Sequence, residues 1–132
     1  MVDVDWREMA AIFAGGAIGA VARTALGQAI ASAPGTWPWA TFVINIVGAF
    51  ALGYFATRLQ DRLPLSSYRR PFLGTGFCGA LTTFSTMQVE LVRMLDADRL
   101  RLALGYAVAS VVMGFMAVLL ATALVRRTRT LV

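Results

Sequence analysis

The chain has 132 residues, 58% of them hydrophobic and only 14% charged, with a mean hydropathy of +0.70. A soluble domain this short must cover much of its surface with polar groups, which this composition does not supply, so the bilayer is its natural solvent. With no His and one Cys, disulfide frameworks and Cys/His metal sites are excluded, and the net charge of +5 rests on arginines that gather at the ends of apolar runs, as topology signals and headgroup anchors rather than nucleic-acid contacts.

Four apolar segments follow in order, at about residues 10–31, 38–58, 71–95 and 102–125, each near the roughly 20 residues that cross about 30 Å of hydrocarbon as a helix. The expectation is a single transmembrane domain over residues 1–132, all-α, with four spans. The first run has a signal-peptide look because Ala31-Ser32-Ala33 resembles a cleavage site. The acidic leader Met1–Glu8 and the interruption at Arg23 argue against cleavage. Along this span Gly15, Gly19 and Gly27, with Arg23 between them, recur every four residues. Such a small-residue stripe lets another helix approach closely, in the same chain or in a second one. Arg23 lies too deep for easy snorkelling and requires a partner or water. It reads as a structural anchor or as an anion-attracting group.

The turn Ser32–Pro38 carries Pro, Gly and an interfacial Trp37, and Trp6 and Trp39 mark span ends as an aromatic belt does. In the second span Thr41 and Asn45 share a face that Gly48 extends. The fourth span repeats the pattern with Tyr106, Ser110 and Gly114. Each stripe alone is readable as interhelical hydrogen-bond glue, and the two together as the lining of one narrow polar track. Cys78, inside an apolar run, is a small hydrophobe.

The third span is the most informative. Gly74, Gly76 and Gly79 precede Thr82-Thr83-Phe84-Ser85-Thr86, a poor recipe for an uninterrupted helix. A break at membrane depth is tolerated where the freed backbone is buried in protein or faces an ion or water, and freed carbonyls are natural cation ligands. Ordinary helix packing is the other use for these glycines. An even number of spans puts both termini on one side with eight arginines, against Arg93, Arg99 and Arg101 on the other, a moderate bias toward cytoplasmic termini. Four helices of this size cannot both enclose a wet path and pack on one another, so an oligomer is expected.

The run Gly76–Thr86, with Asn45-x-x-Gly48 and the Gly15-to-Arg23 pattern, resembles the Fluc (CrcB) family of fluoride channels over essentially the whole chain. The resemblance implies an antiparallel, dual-topology dimer with two fluoride pores. It also implies a structural Na⁺ at the dimer centre, held by the backbone carbonyls of Gly79 and Thr82 of each subunit. Phe84 would offer its ring edge to fluoride. Asn45, Tyr106 and Ser110 would line the path, with Thr83, Ser85 and Glu90 nearby, and Arg23 would match the family's first-helix arginine. Met87 stands where the family has a second phenylalanine, and it cannot donate a ring edge.

On this reading the protein is not an enzyme. It is a passive fluoride exporter of the cell membrane, a bacterial inner membrane, working as a homodimer or with a related, oppositely oriented chain. Fluoride is a strongly hydrated anion that must exchange water for many aimed donors, which amide, hydroxyl and ring-edge groups supply. Two other readings use the same composition. A proton-coupled multidrug exporter needs an embedded carboxylate, for which Glu90 is the only candidate, and a membrane assembly protein needs no polar track at all.

Overall fold

The computed structural model describes residues 3–62 and 68–129, which are mostly helical with no strand among them. Helix α1 spans Trp6–Ala29 and α2 spans Trp39–Arg62. The third segment comes in two pieces. A π-helical stretch Pro71–Cys78 continues into the turn Gly79–Leu81, together α3, and after Thr82 and Thr83 the chain resumes as α4, Phe84–Asp96. Helix α5 is the longest, Leu100–Arg129. Residues 63–67, between the second and third apolar runs, lie outside the described residues.

The boundaries follow from local chemistry. Asp5 caps α1, its Oδ1 accepting from the backbone N–H of Arg7 at 2.9 Å and of Glu8 at 3.3 Å. After Ile30 the chain turns through Gly35, at φ +76 the one described glycine in the left-handed region, and α2 starts just past Pro38. Helix α4 closes with Asp98 in the left-handed conformation (φ 56). The Arg99 N–H bonds the Met94 carbonyl at 2.8 Å, so α5 begins almost at once.

Three helical stretches are long and apolar enough to cross a bilayer: Trp6–Ala29, Trp39–Leu59 and Leu100–Thr128. The two halves of the third segment reach that length only together. At about 1.5 Å per residue the 13 residues of α4 cover about 20 Å, short of the hydrocarbon thickness. Large apolar side chains on the outside, such as Phe13 on α1 and Val111 and Phe115 on α5, suit lipid rather than water.

In lipid, helices are drawn together by close packing rather than by the hydrophobic effect. Helix α1 packs chiefly on α3, and α2 chiefly on α5. The first contact is backbone on backbone. A Cβ at Gly15 would collide with the Phe72 carbonyl, one at Gly19 with the Phe77 carbonyl, and one at Gly76 with the Ile12 carbonyl and the Gly16 nitrogen. The partner of the α1 glycine stripe is thus α3 of the same chain, while Gly27 faces open space. The second contact uses Gly53 against Val118 and Ala121, with the Thr57 hydroxyl 3.4 Å from that of Thr122. Between α4 and the start of α5 sits the buried cluster of Met87, Met94, Ala103 and Tyr106, walled by Trp37, Phe42, Leu91 and Leu102.

Candidate functional site: the broken third helix and its polar column

The site is organised by Thr82 and Thr83, both in extended conformation (φ −76, ψ 147 and φ −146, ψ 114) between two helical pieces. The last regular bond before the break runs from the Thr82 N–H to the Cys78 carbonyl at 3.0 Å, and the Thr82 hydroxyl donates to the same oxygen at 2.9 Å. The next N–H, that of Thr83, would bond the Gly79 carbonyl in an unbroken α-helix. It donates instead to Asn45 Oδ1 at 2.8 Å, while Asn45 Nδ2 donates to the Thr83 carbonyl at 3.2 Å. The Thr83 side chain then caps α4, its hydroxyl oxygen accepting from the Thr86 N–H at 3.2 Å. It also donates to the Thr86 hydroxyl at 3.0 Å and lies 3.3 Å from that of Ser85. The hydroxyl-rich run is therefore a cap and a cluster at the start of α4.

Two turns further along α4, Glu90 joins three helices. Its Oε1 accepts from the Thr41 hydroxyl of α2 at 2.7 Å, and its Oε2 accepts from the Tyr106 hydroxyl of α5 at 2.8 Å. Tyr106 is completely buried. Beyond Glu90 a cleft of about 300 Å³ opens between the Ile30–Pro38 turn and α4, lined among others by Thr41, Thr86, Glu90 and Arg93. Together these groups form a column of hydroxyl, amide and carboxylate groups running from the Arg93 cleft to the break.

The remaining expected residues divide by exposure. Phe84 directs its ring out of the subunit, 71% exposed, and Gly79 and Ser85 are exposed as well. Met87, expected beside the path, is 8% exposed and packs inward against Tyr106 in the core cluster. Phe84 and Met87 thus occupy different environments, and only the phenylalanine is presented at the surface of the single chain. Gly48 receives the Thr82 methyl group, with no room for a Cβ of its own. A second cleft, about 400 Å³, lies between α2 and α3 and is lined by Arg70, Gly74, Thr75, Cys78, Gly79 and Thr82.

Among the described residues three buried polar atoms of side chains lack a hydrogen-bond partner: Arg23 Nε, Trp37 Nε1 and Ser110 Oγ. All three are able to donate. A buried donor left unpaired is costly. Ser110 stands one turn from Tyr106 on α5, and the Trp37 ring meets the Tyr106 ring edge-on, with centroids 5.4 Å apart. Trp37 reads from sequence as an interfacial anchor, and nothing in its local pattern marks the buried N–H. Glu90 is visible in sequence as a lone carboxylate, but its two hydroxyl partners come from other helices and carry no signal at its own position. No group of three or more His, Cys, Asp or Glu is arranged to hold a metal among the described residues.

Comparison with known proteins bears on this geometry as a whole. Residues 10–122 match the model of the family described as CrcB-like protein, Camphor Resistance (CrcB). The chain is 61% identical over 129 residues, 98% of each chain, to the fluoride-specific ion channel FluC 1 of Mycolicibacterium paratuberculosis. It is 60% identical over the same share to FluC 1 of Mycobacterium bovis. A more distant relative, FluC of Methanopyrus kandleri, is 41% identical over 90% of this chain and 89% of its own. A family match across nearly all the spans, together with near-complete coverage at 60% identity, leads to one conclusion: the chain belongs to the CrcB family.

Proposed function

We propose that the protein is a fluoride-selective channel of the cell membrane, that it conducts passively, and that it works as an antiparallel dimer with a Na⁺ at its centre. The observation that carries the reading is the break at Thr82–Thr83, flanked by amide, hydroxyl and carboxylate groups and by an exposed phenylalanine. Fluoride is small and a strong acceptor, and it leaves water only for donors already aimed at it. Ser110, Ser85 and the second Nδ2 hydrogen of Asn45 would supply such donors, while Thr41, Tyr106 and Thr83, whose hydroxyls donate to Glu90 and Thr86 within the subunit, would line the same path. The Phe84 ring edge carries partial positive charge and adds a contact that a larger, softer anion uses less well.

Support for the dimer comes from what the single chain leaves uncovered. The Ser85 hydroxyl and the Gly79 backbone beside the break are exposed and poorly served by lipid, and in this reading a second copy covers them together with Phe84 and completes the path. The Na⁺ fits the same face. The Gly79 carbonyl has lost its usual α-helical donor to Asn45, and the exposed glycine leaves that oxygen approachable. Gly79 and Thr82 would hold the cation by their carbonyls, and the ion would supply a fixed positive charge near the permeating anions. Arg23, half-buried with its Nε unpartnered, would add a further attraction for anions.

Glu90 distinguishes this reading from a proton-coupled exporter. Both of its oxygens accept hydroxyl hydrogen bonds within the subunit, which orients Thr41 and Tyr106 rather than presenting a free carboxylate to a cationic drug. The direct test is efflux from liposomes reconstituted with the wild-type chain. Fluoride is expected to leave under a K⁺ gradient with valinomycin while chloride is retained. Equal efflux of both anions, or of neither, would refute the proposed function.

A further inference from the structure

We infer that Asn45 is a positioning residue whose carboxamide holds the third span open, taking over the backbone groups of Thr83 and so keeping the Gly79 carbonyl out of the helix. In an extended residue the N–H and C=O point to the same side, which is how one strand residue engages its neighbour. Asn45 meets Thr83 in that way, as a side-chain substitute for an adjoining strand. Its Oδ1 accepts from the Thr83 N–H at 2.8 Å, and its Nδ2 donates to the Thr83 carbonyl at 3.2 Å.

The neighbouring residue is seated too. The Thr82 methyl occupies the notch at Gly48, three residues along α2, where a Cβ would collide with it. The Asn45-x-x-Gly48 pattern is thus a mould with one polar and one steric contact, and both engage the two non-helical residues. Reclosing the helix would return the Thr83 N–H to Gly79. It would also withdraw the methyl from its notch and strand a part-buried carboxamide in the membrane, where unpaired polar groups are costly. The break is therefore held from within one subunit, by α2. One Nδ2 hydrogen remains uncommitted, so Asn45 contributes at most one further bond to a passing anion.

The consequence for ion binding rests on the proposed cation site, whereas the clamp rests on the two hydrogen bonds alone, and the experiment separates them. The full chain is reconstituted in lipid with ¹³C,¹⁵N-labelled threonine and ¹³C′-labelled glycine, and magic-angle-spinning spectra are recorded with and without Na⁺. In Asn45→Leu the Thr83 Cα and Cβ shifts should move from extended to helical values, and any response of the Gly79 carbonyl to Na⁺ should be lost. In Asn45→Asp the carboxylate still accepts from the Thr83 N–H but no longer donates. The amide resonance should hold while the Thr83 carbonyl resonance shifts, a split that a general loss of fold would not produce.

Thr83 remaining extended in Asn45→Leu would overturn the inference. So would an Asn45→Asp chain in which the Thr83 carbonyl resonance does not move, even if Asn45→Leu cannot be recovered. A wild-type Gly79 carbonyl that ignores Na⁺ would defeat the cation site and leave the clamp standing.

Discussion

The two halves of the third span are built by opposite means. Helix α3 before the break is held by absence: Gly76 has no side chain, nor do Gly15 and Gly19 facing it, and the two backbones meet directly. Helix α4 after the break is held by presence, through the Thr83 cap, the Glu90 carboxylate and the hydroxyls that reach it from α2 and α5. The first half also departs from regular α geometry, running as a π-helix over Pro71–Cys78, a conformation that is rare and gathers at functional sites. The contrast teaches that the glycines and the hydroxyls of one contiguous motif serve different ends. The glycines fix where the segment lies, and the hydroxyls fix what it offers.

That division predicts different failures. The largest effect is expected from Gly76→Val. Its side chain would press on the Ile12 carbonyl and the Gly16 nitrogen, and rigid backbone cannot yield as a side chain can. Overpacking of this kind costs on the order of 1–3 kcal/mol or more. The variant should be lost from the membrane fraction or lose its size-exclusion peak in detergent, and a stable, monodisperse Gly76→Val would contradict the backbone-contact account.

Next comes Tyr106→Phe on the hydroxyl side. Removing one hydroxyl leaves a part-buried carboxylate oxygen of Glu90 without its donor, at a cost of about 1–3 kcal/mol. The chain should still fold, with a lower melting temperature in detergent and slower fluoride efflux. Unchanged values for both would remove Glu90 and Tyr106 from the column.

A third prediction concerns orientation rather than either half. An antiparallel homodimer requires C-terminal tags on both faces of the membrane. Exclusive cytoplasmic labelling would point to a related, oppositely oriented partner chain. The smallest effect is expected from Met87→Phe. Met87 is packed in the core beside Tyr106, and methionine fills irregular gaps that a ring fills less well. Fluoride efflux should stay within a few-fold of wild type, with a small loss of thermal stability.

The sequence makes much of this legible because a membrane forces each polar residue and each glycine to have a reason. The apolar runs, the breakers between them and the composition Gly-Thr-Gly-Phe-Cys-Gly-Ala-Leu-Thr-Thr-Phe-Ser-Thr are readable along the chain, and the third segment is interrupted where that composition changes. The contacts that give the residues their work are not readable in that way. Asn45 reads from its spacing with Thr41 as interhelical glue or, with the second stripe, as track lining, and its attachment to the Thr83 backbone joins residues 38 positions apart in sequence. Glu90 and its two hydroxyls are separated by 49 and 16 residues in sequence, beyond any local pattern. Met87 and Phe84 are three residues apart and look equivalent until packing turns one inward and the other out.

The exposed ring is where the central claim can be tested most directly. Phe84→Ile keeps a bulky apolar side chain at the surface of α4 and removes only the positively polarised ring edge. The measurement is fluoride efflux from liposomes, with dimer content of the same preparation checked by cross-linking. The account predicts a normally folded dimer whose efflux has collapsed. Wild-type efflux through the Phe84→Ile protein would contradict the claim that a ring edge beside the break carries fluoride.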